Sequence, residues 1–202
     1  MTKIPRATYR LQFHPGFTFQ DAAALTDYLA ALGVSHLYAS PYLQAAKGSA
    51  HGYDVVDPGR VNVELGGVEG HQMLCSALQE RGLGQILDIV PNHMAITRPE
   101  NTWWWDVLED GPSSPYAAYF DVDWNPTEER LANKILLPIL GDHYGRALEA
   151  GEIRLVHDKG RFSIQYHDHM LPVAPHSLVG ILDQAGRISD SDKLAFIVDA
   201  LR

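Results

Sequence analysis

The stretch ILDIVPNHMA, residues 86–95, decides the fold. It begins as an apolar run of strand length and then places Asp88, Asn92 and His93 close together, with Pro91 between them. A short apolar run bounded by punctuation reads as a buried strand. Pro91 fixes φ and removes an amide donor, which holds the side chains after it in a set direction. The segment therefore predicts a strand over residues 85–90 that ends in a polar rim. On the residues alone that rim has two readings. It is either an ordinary strand-to-loop transition with locally satisfied polar groups, or a cluster that grips sugar hydroxyls, in which Asp accepts, Asn does both and His donates from one ring nitrogen.

Upstream of this stretch, strands and helices alternate. Residues 7–13 (ATYRLQF) alternate apolar and polar side chains and predict a first strand. Thr18 stands three residues before Asp21 as a weakened capping box, and Ala22, Leu25, Leu29 and Leu32 form a stripe that Gly33 stops. Residues 34–39 (VSHLYA) predict a second strand. A Gly- and polar-rich loop is expected over residues 42–66, then a helix over 68–81 that buries Leu74, Ala77 and Leu78 and ends at Gly82. The order β, α, β, α, β has connections long enough for parallel crossovers. An open dinucleotide-binding sheet would carry a Gly-rich turn after its first strand, but the chain has QFHPGFTFQD there. Polar residues gather instead after the second and third strands, where (β/α)8 barrels put their sites. The expected class is thus α/β, the first three strands of a TIM barrel. Because a barrel needs about 250 residues, the chain is expected to be an amino-terminal piece of a longer catalytic unit, inactive alone.

Bulk properties narrow the function. The chain has 202 residues and a net charge of -9, with no basic excess to neutralise nucleic-acid phosphates. Cys75 is the single cysteine, which excludes an intrachain disulfide and a thiolate zinc site; it is expected in a helix core. The first residues lack a signal-peptide apolar run and no window reaches membrane-span length, so a cytoplasmic setting with no membrane partner is expected.

After residue 96 the pattern changes to an α+β insertion. Asn101 is expected to cap a helix through Trp103, Trp104, Trp105 and Leu108, Ser114 before Pro115 to start another, and residues 142–150 to form a third. Residues 152–166 alternate around Asp158, Lys159 and Gly160 as a hairpin. Three adjacent tryptophans cannot all face one way on a helix; at least one is core, and the residues leave open whether all three are core or one is exposed as a sugar platform. His167, Asp168 and His169 read as a solvated loop rather than a metal site, since alternation separates Asp168 from its neighbours. The last helix places Leu194, Ile197, Val198 and Leu201 on one apolar face. Strand edges and helix faces left open by three strands would need cover from the remainder of the polypeptide or another copy. HGYD, residues 51–54, adds Tyr53 to a turn after the second strand, either anchoring that turn or offering its ring to a sugar and its hydroxyl as a polar handle.

Together TYRLQFHPGFTF, YASPY, GSAHGYDVVDP, LDIVPNHMA, NTWWWDVLEDG and KILLPILGDHYG resemble the amino-terminal part of the maltooligosyltrehalose synthase family, within the α-amylase superfamily of (β/α)8 glycoside enzymes. The resemblance runs from about residue 5 to at least 175. It implies that His93 contacts the sugar at the cleavage subsite, that Tyr53 stacks on that sugar, that Asp88 and Asn92 support the pocket and that His51 stands at its rim. It further implies residues 1–95 as the start of the catalytic barrel, 96–185 as an inserted domain B with a hairpin near 152–166, and 186–202 as the start of a returning helix. No cofactor and no metal is expected. The nucleophilic Asp and general-acid Glu of the family have no counterpart and are expected beyond residue 202. The implied reaction converts the reducing-end α-1,4 link of a maltooligosaccharide into an α,α-1,1 link. The alternatives are an α-glucan hydrolase or transglycosylase of the same superfamily, or a non-catalytic carbohydrate-binding fragment.

Overall fold

A computed structural model describes residues 4–97, 99–158 and 160–201. The chain divides into two units, Met1–Ile96 and Thr97–Arg202. In the first, the chain forms β1 (Thr8–Leu11), two short helices α1 (Phe19–Ala24) and α2 (Thr26–Ala31), β2 (His36–Ala39), a side sheet of β3 (Leu43–Ala45) and β4 (Val55–Val61), then α3 (Gly67–Glu80) and β5 (Gly84–Leu87). Strands β1, β2 and β5 lie side by side and parallel, in register from Thr8, His36 and Gly84 to Leu11, Ala39 and Leu87.

That register sorts the side chains. Partners in a parallel ladder share a face and successive residues alternate. Leu11, Leu37, Ala39 and Leu87 accordingly meet Phe19, Ala22, Leu29, Leu74 and Leu78 in one core under the helices. Arg10, Tyr38 and Ile86 fall on the opposite face. Asp88 prolongs that row, because its amide still donates to the Ala39 carbonyl at 2.9 Å although β5 ends at Leu87.

Several expectations are corrected. The helix read across residues 18–33 is broken at Leu25, where Thr26 Oγ1 donates to the Ala23 carbonyl at 2.9 Å and competes with the helical ladder. Asp21 does close the start, accepting from the Thr18 amide at 2.7 Å. Residues 42–66 are no plain loop but hold antiparallel β3 and β4. Register shifts on both sides of Gln44, and Pro58–Gly59 within β4, erase the period-two signal. The third parallel strand stops at Leu87 rather than residue 90, and Ile89 is 60% exposed. Cys75 on α3 is half-buried beside His71, with Sγ 3.6 Å from Nε2, and its burial pushes the thiol pKa up.

The second unit contains α4 (Thr102–Asp110), α5 (Tyr144–Glu149), a meander of β6 (Ile153–Asp158), β7 (Arg161–Tyr166) and β8 (His169–Pro172), and the helices α6 (Pro175–Ser189) and α7 (Asp192–Leu201). Asn101 caps α4 by accepting the Trp104 amide at 3.0 Å. Trp104 is buried, while Trp103 lies parallel to Tyr116 with ring centroids 5.3 Å apart. Ser114 starts no α-helix; residues 111–113 and 117–119 are single 3-10 turns, and the Ser114 hydroxyl donates to Asp106 while accepting the Tyr116 amide at 3.1 Å. The hairpin expected over 152–166 is present as β6 and β7, with Lys159 of its turn outside the described residues. His169 belongs to a third strand, not to a solvated loop, because the turn at His167 and Asp168 is tight enough to pair β8 with β7; His167 has φ 48°. The division expected between residues 185 and 186 falls inside α6, which runs unbroken to Ser189. Gly186 lets Leu194 of α7 approach closely, and Leu182 and Val198 are buried. Ile197 is 43% exposed, and the side chain of Leu201 lies outside the described residues. No described helix is long and apolar enough to cross a membrane.

Leu74 is fully enclosed and its neighbour Met73 is half exposed. Leu74→Ala is expected to cost about 2–5 kcal/mol of unfolding free energy, and Met73→Ala to stay within roughly 0.5 kcal/mol of wild type; denaturant titration of both variants checks the contrast.

Candidate functional site

The polar row on the open face of the sheet converges on one carboxylate. Arg10 in β1, Tyr38 in β2 and Asp88 just past β5 are aligned by the strand register, and Tyr53 reaches them from the turn before β4. Asp88 Oδ2 accepts from the Tyr53 hydroxyl at 2.6 Å, from Arg10 NH1 at 3.1 Å and from the Tyr38 hydroxyl at 3.3 Å. The Tyr53 hydroxyl in turn accepts from Arg10 NH2 at 2.8 Å, closing a triangle. The Arg10 guanidinium lies over the Tyr38 ring, 4.7 Å from its centroid, where the cation meets the negative face of the π-system.

Electrostatics follow from these contacts. The Tyr53 hydrogen bond, aided by Arg10 and Tyr38 against an opposing desolvation, holds the Asp88 carboxyl below the usual carboxylate range. Donating to that carboxylate raises the pKa of Tyr53, which stays a phenol. Burial alone would lower the pKa of Arg10, but its bonds to Asp88 and Tyr53 outweigh burial and raise it. The site is therefore a fixed ion pair bridged by a phenol. The Tyr53 hydroxyl is committed to Asp88 and Arg10, so the ring face, rather than the hydroxyl handle, is what Tyr53 offers a ligand.

The turn carrying Tyr53 is built from its neighbours. His51 Nδ1 accepts the Tyr53 amide at 3.0 Å, which puts the ring proton on Nε2, and the His51 carbonyl accepts from Gln12 Nε2 at 3.1 Å. The Ser49 hydroxyl bonds Asp54 and accepts the Gly52 amide at 3.0 Å. Gly52 has φ 76°, and a Cβ there would stand 2.2 Å from the Pro41 carbonyl oxygen, so only glycine fits without movement of the chain.

The five residues picked out in the sequence thus form two groups. His51, Tyr53 and Asp88 are joined through the bonds above. Asn92 and His93 are exposed and pair with each other, His93 Nδ1 lying 3.0 Å from Asn92 Oδ1. With Asn92 Oδ1 as acceptor, Nδ1 carries the proton and Nε2 is left to accept from a hydroxyl. Among the described residues no hydrogen bond links this pair to Asp88 or Tyr53. Their loop is pinned at its far end by the Ala95 amide, which donates to the Val55 carbonyl of β4 at 2.8 Å. Sequence reasoning missed Arg10 and Tyr38. The available signal was alternation in the first two strands, which puts both on a polar face, but only the register reveals that they share a level. No group of three or more His, Cys, Asp or Glu that could hold a metal ion occurs among the described residues.

Gly52→Ala is expected to cost at least about 1–3 kcal/mol through the strained φ alone, seen as a lowered thermal midpoint. Because the folded-state pKa of Asp88 is depressed, its bonds stabilise fully above the unfolded carboxylate pKa of about 3.9 and lose that contribution as pH falls through the folded value. The stability gap between wild type and Asp88→Asn is therefore expected to narrow on acidification from pH 6 toward the folded pKa. A gap independent of pH in paired thermal melts would refute this.

The chain is 48% identical over 177 residues, 85% of its length, to a Mycobacterium tuberculosis (strain ATCC 25618 / H37Rv) protein named as a maltooligosyl trehalose synthase, and it covers 22% of that protein. It superimposes on maltooligosyltrehalose synthase from Arthrobacter ramosus with a TM-score of 0.74 and 44% identity, over 84% of this chain and 21% of the other. It is 34% identical to the alpha-amylase SusG of Bacteroides thetaiotaomicron over 111 residues, 55% of this chain and 15% of that protein. The chain thus spans about a fifth of the length of the synthases it matches. The alpha amylase catalytic-domain model matches residues 23–146. With that match over more than half its residues and a three-stranded parallel α/β arc beneath it, the chain belongs to the alpha-amylase family of catalytic domains, whose fold is the TIM barrel.

Proposed function

We propose that the natural protein carrying this chain is an intramolecular transglucosylase that converts the reducing-end α-1,4 link of maltooligosaccharides into an α,α-1,1 link, forming a terminal trehalose unit. What carries the reading is the extent of the likeness. Similarity to the named synthase spans 85% of the chain, so it must continue past residue 97 into the second unit, whereas similarity to the amylase covers 55%. In this reading β1, β2 and β5 are the first three barrel strands, the inserted domain B begins at about residue 96 and extends at least to β8, and the setting is cytoplasmic. The nucleophilic Asp and general-acid Glu come from outside residues 1–202; Asp88, held by three donors, is a scaffold group and not the nucleophile.

The reaction is a retaining double displacement. Attack on the anomeric carbon of the penultimate sugar forms a glycosyl-enzyme and releases the terminal glucose, whose own anomeric hydroxyl then attacks. Water must be excluded, since it competes as acceptor and gives hydrolysis. Tyr53 supplies an apolar ring face for the donor sugar, His93 Nε2 accepts from one of its hydroxyls, Asn92 holds the His93 tautomer, and His51 supports the turn at the rim.

Incubating the natural polypeptide with maltopentaose checks the proposal. The expected product is a non-reducing saccharide of unchanged mass with a trehalosyl end. Glucose and short reducing maltosaccharides as the main products would identify a hydrolase instead, and retention of maltopentaose without turnover would identify a binding protein.

A further inference from the structure

We propose that Arg10 is a positioning residue for the sugar site, a two-pronged clamp that sets the plane of the Tyr53 ring and the rotation of the Asp88 carboxylate. The inference rests on the function proposed above and adds a residue to it. Arg10 donates through separate nitrogens to Asp88 and to the Tyr53 hydroxyl, at 3.1 and 2.8 Å, while Tyr53 donates to the same Asp88 oxygen at 2.6 Å. A three-membered loop of bonds has one geometry. If the prong to Tyr53 is removed, Tyr53 keeps a single bond about which its phenol can swing; if the prong to Asp88 is removed, the carboxylate that Tyr53 donates to is freer to rotate, and in either case the ring face moves.

The guanidinium is itself held. It rests on the Tyr38 ring, and Tyr38 bonds the same carboxylate oxygen at 3.3 Å, so the clamp is anchored to a neighbouring strand rather than to a loop. A planar fork can serve two acceptors at fixed spacing, which a lysine ammonium on a flexible stem does not reproduce. The ionisable groups bonded to Asp88 are Arg10 from β1, Tyr38 from β2 and Tyr53 from the turn before β4. Arg10 is the only cation among them. It touches no reacting atom in this scheme and acts through Tyr53 and Asp88.

The test compares Arg10→Lys and Arg10→Met with wild type in the natural polypeptide, measuring kcat, KM and the pH profile on maltopentaose, with thermal unfolding in parallel. Arg10→Met is expected to lower kcat/KM by about 10- to 100-fold, the scale on which small misplacements act, and to move the acid limb of the profile to higher pH. Arg10→Lys is expected to return the acid limb toward wild type while leaving KM raised, since charge is restored and the fork is not. An Arg10→Met enzyme that melts earlier but keeps the wild-type KM and pH profile overturns the proposal, because a purely structural role lowers only the active fraction. Full rescue of KM by Arg10→Lys overturns the two-pronged geometry. A wild type that turns over no maltooligosaccharide overturns the functional reading as well; a competent wild type matched by Arg10→Met overturns only the role of Arg10.

Discussion

The register of three parallel strands is the constraint on which the first unit depends. Because side chains alternate with a period of two, a slip of one residue in β1 would turn Leu11 out of the core and drive Arg10 into it. The aligned rows fix both faces at once. Leu11, Leu37 and Leu87 seal against the helices, and Arg10, Tyr38 and Asp88 are brought to one edge of the opposite face. Core and site are thus two readings of one hydrogen-bond ladder, and apolar burial on one side maintains polar alignment on the other.

A second layer of control comes from the β2–β4 connection. Tyr53 is delivered by a turn that could have been floppy, yet the chain ties it down with the Ser49 and Asp54 side chains, the His51 ring and a backbone approach at Gly52 that no side chain would tolerate. Gln44 and Asn62 extend the order behind it, the buried Gln44 amide donating to the Asn62 side chain at 3.4 Å. Placing an aromatic ring accurately on a loop demands this many local bonds, because a loop has no ladder of its own.

How far the sequence reveals this depends on the range of the interaction concerned. The order of parallel strands and helices was legible because hydrophobic periodicity is local, and the Asn101 cap and the 152–166 hairpin were legible for the same reason. The β3–β4 pair was not, since bulges at Gln44 and the Pro58–Gly59 dipeptide break the alternation that would announce it. The break at Leu25 depends on one Thr26 hydroxyl choosing a carbonyl over water. In the site, Tyr53 and Asp88 could be picked out as residue types near strand ends, whereas Arg10 and Tyr38 acquire meaning only from pairing across 28 to 78 positions of sequence, which no local pattern encodes.

All three donors to Asp88 land on Oδ2, and among the described residues no hydrogen bond reaches Oδ1. The carboxylate therefore divides its work between its two oxygens. One is held by three scaffold donors, and the other accepts no hydrogen bond among the described residues. A hydroxyl that bonds Oδ1 need not displace a protein donor, so binding and structural support do not compete for the same atom.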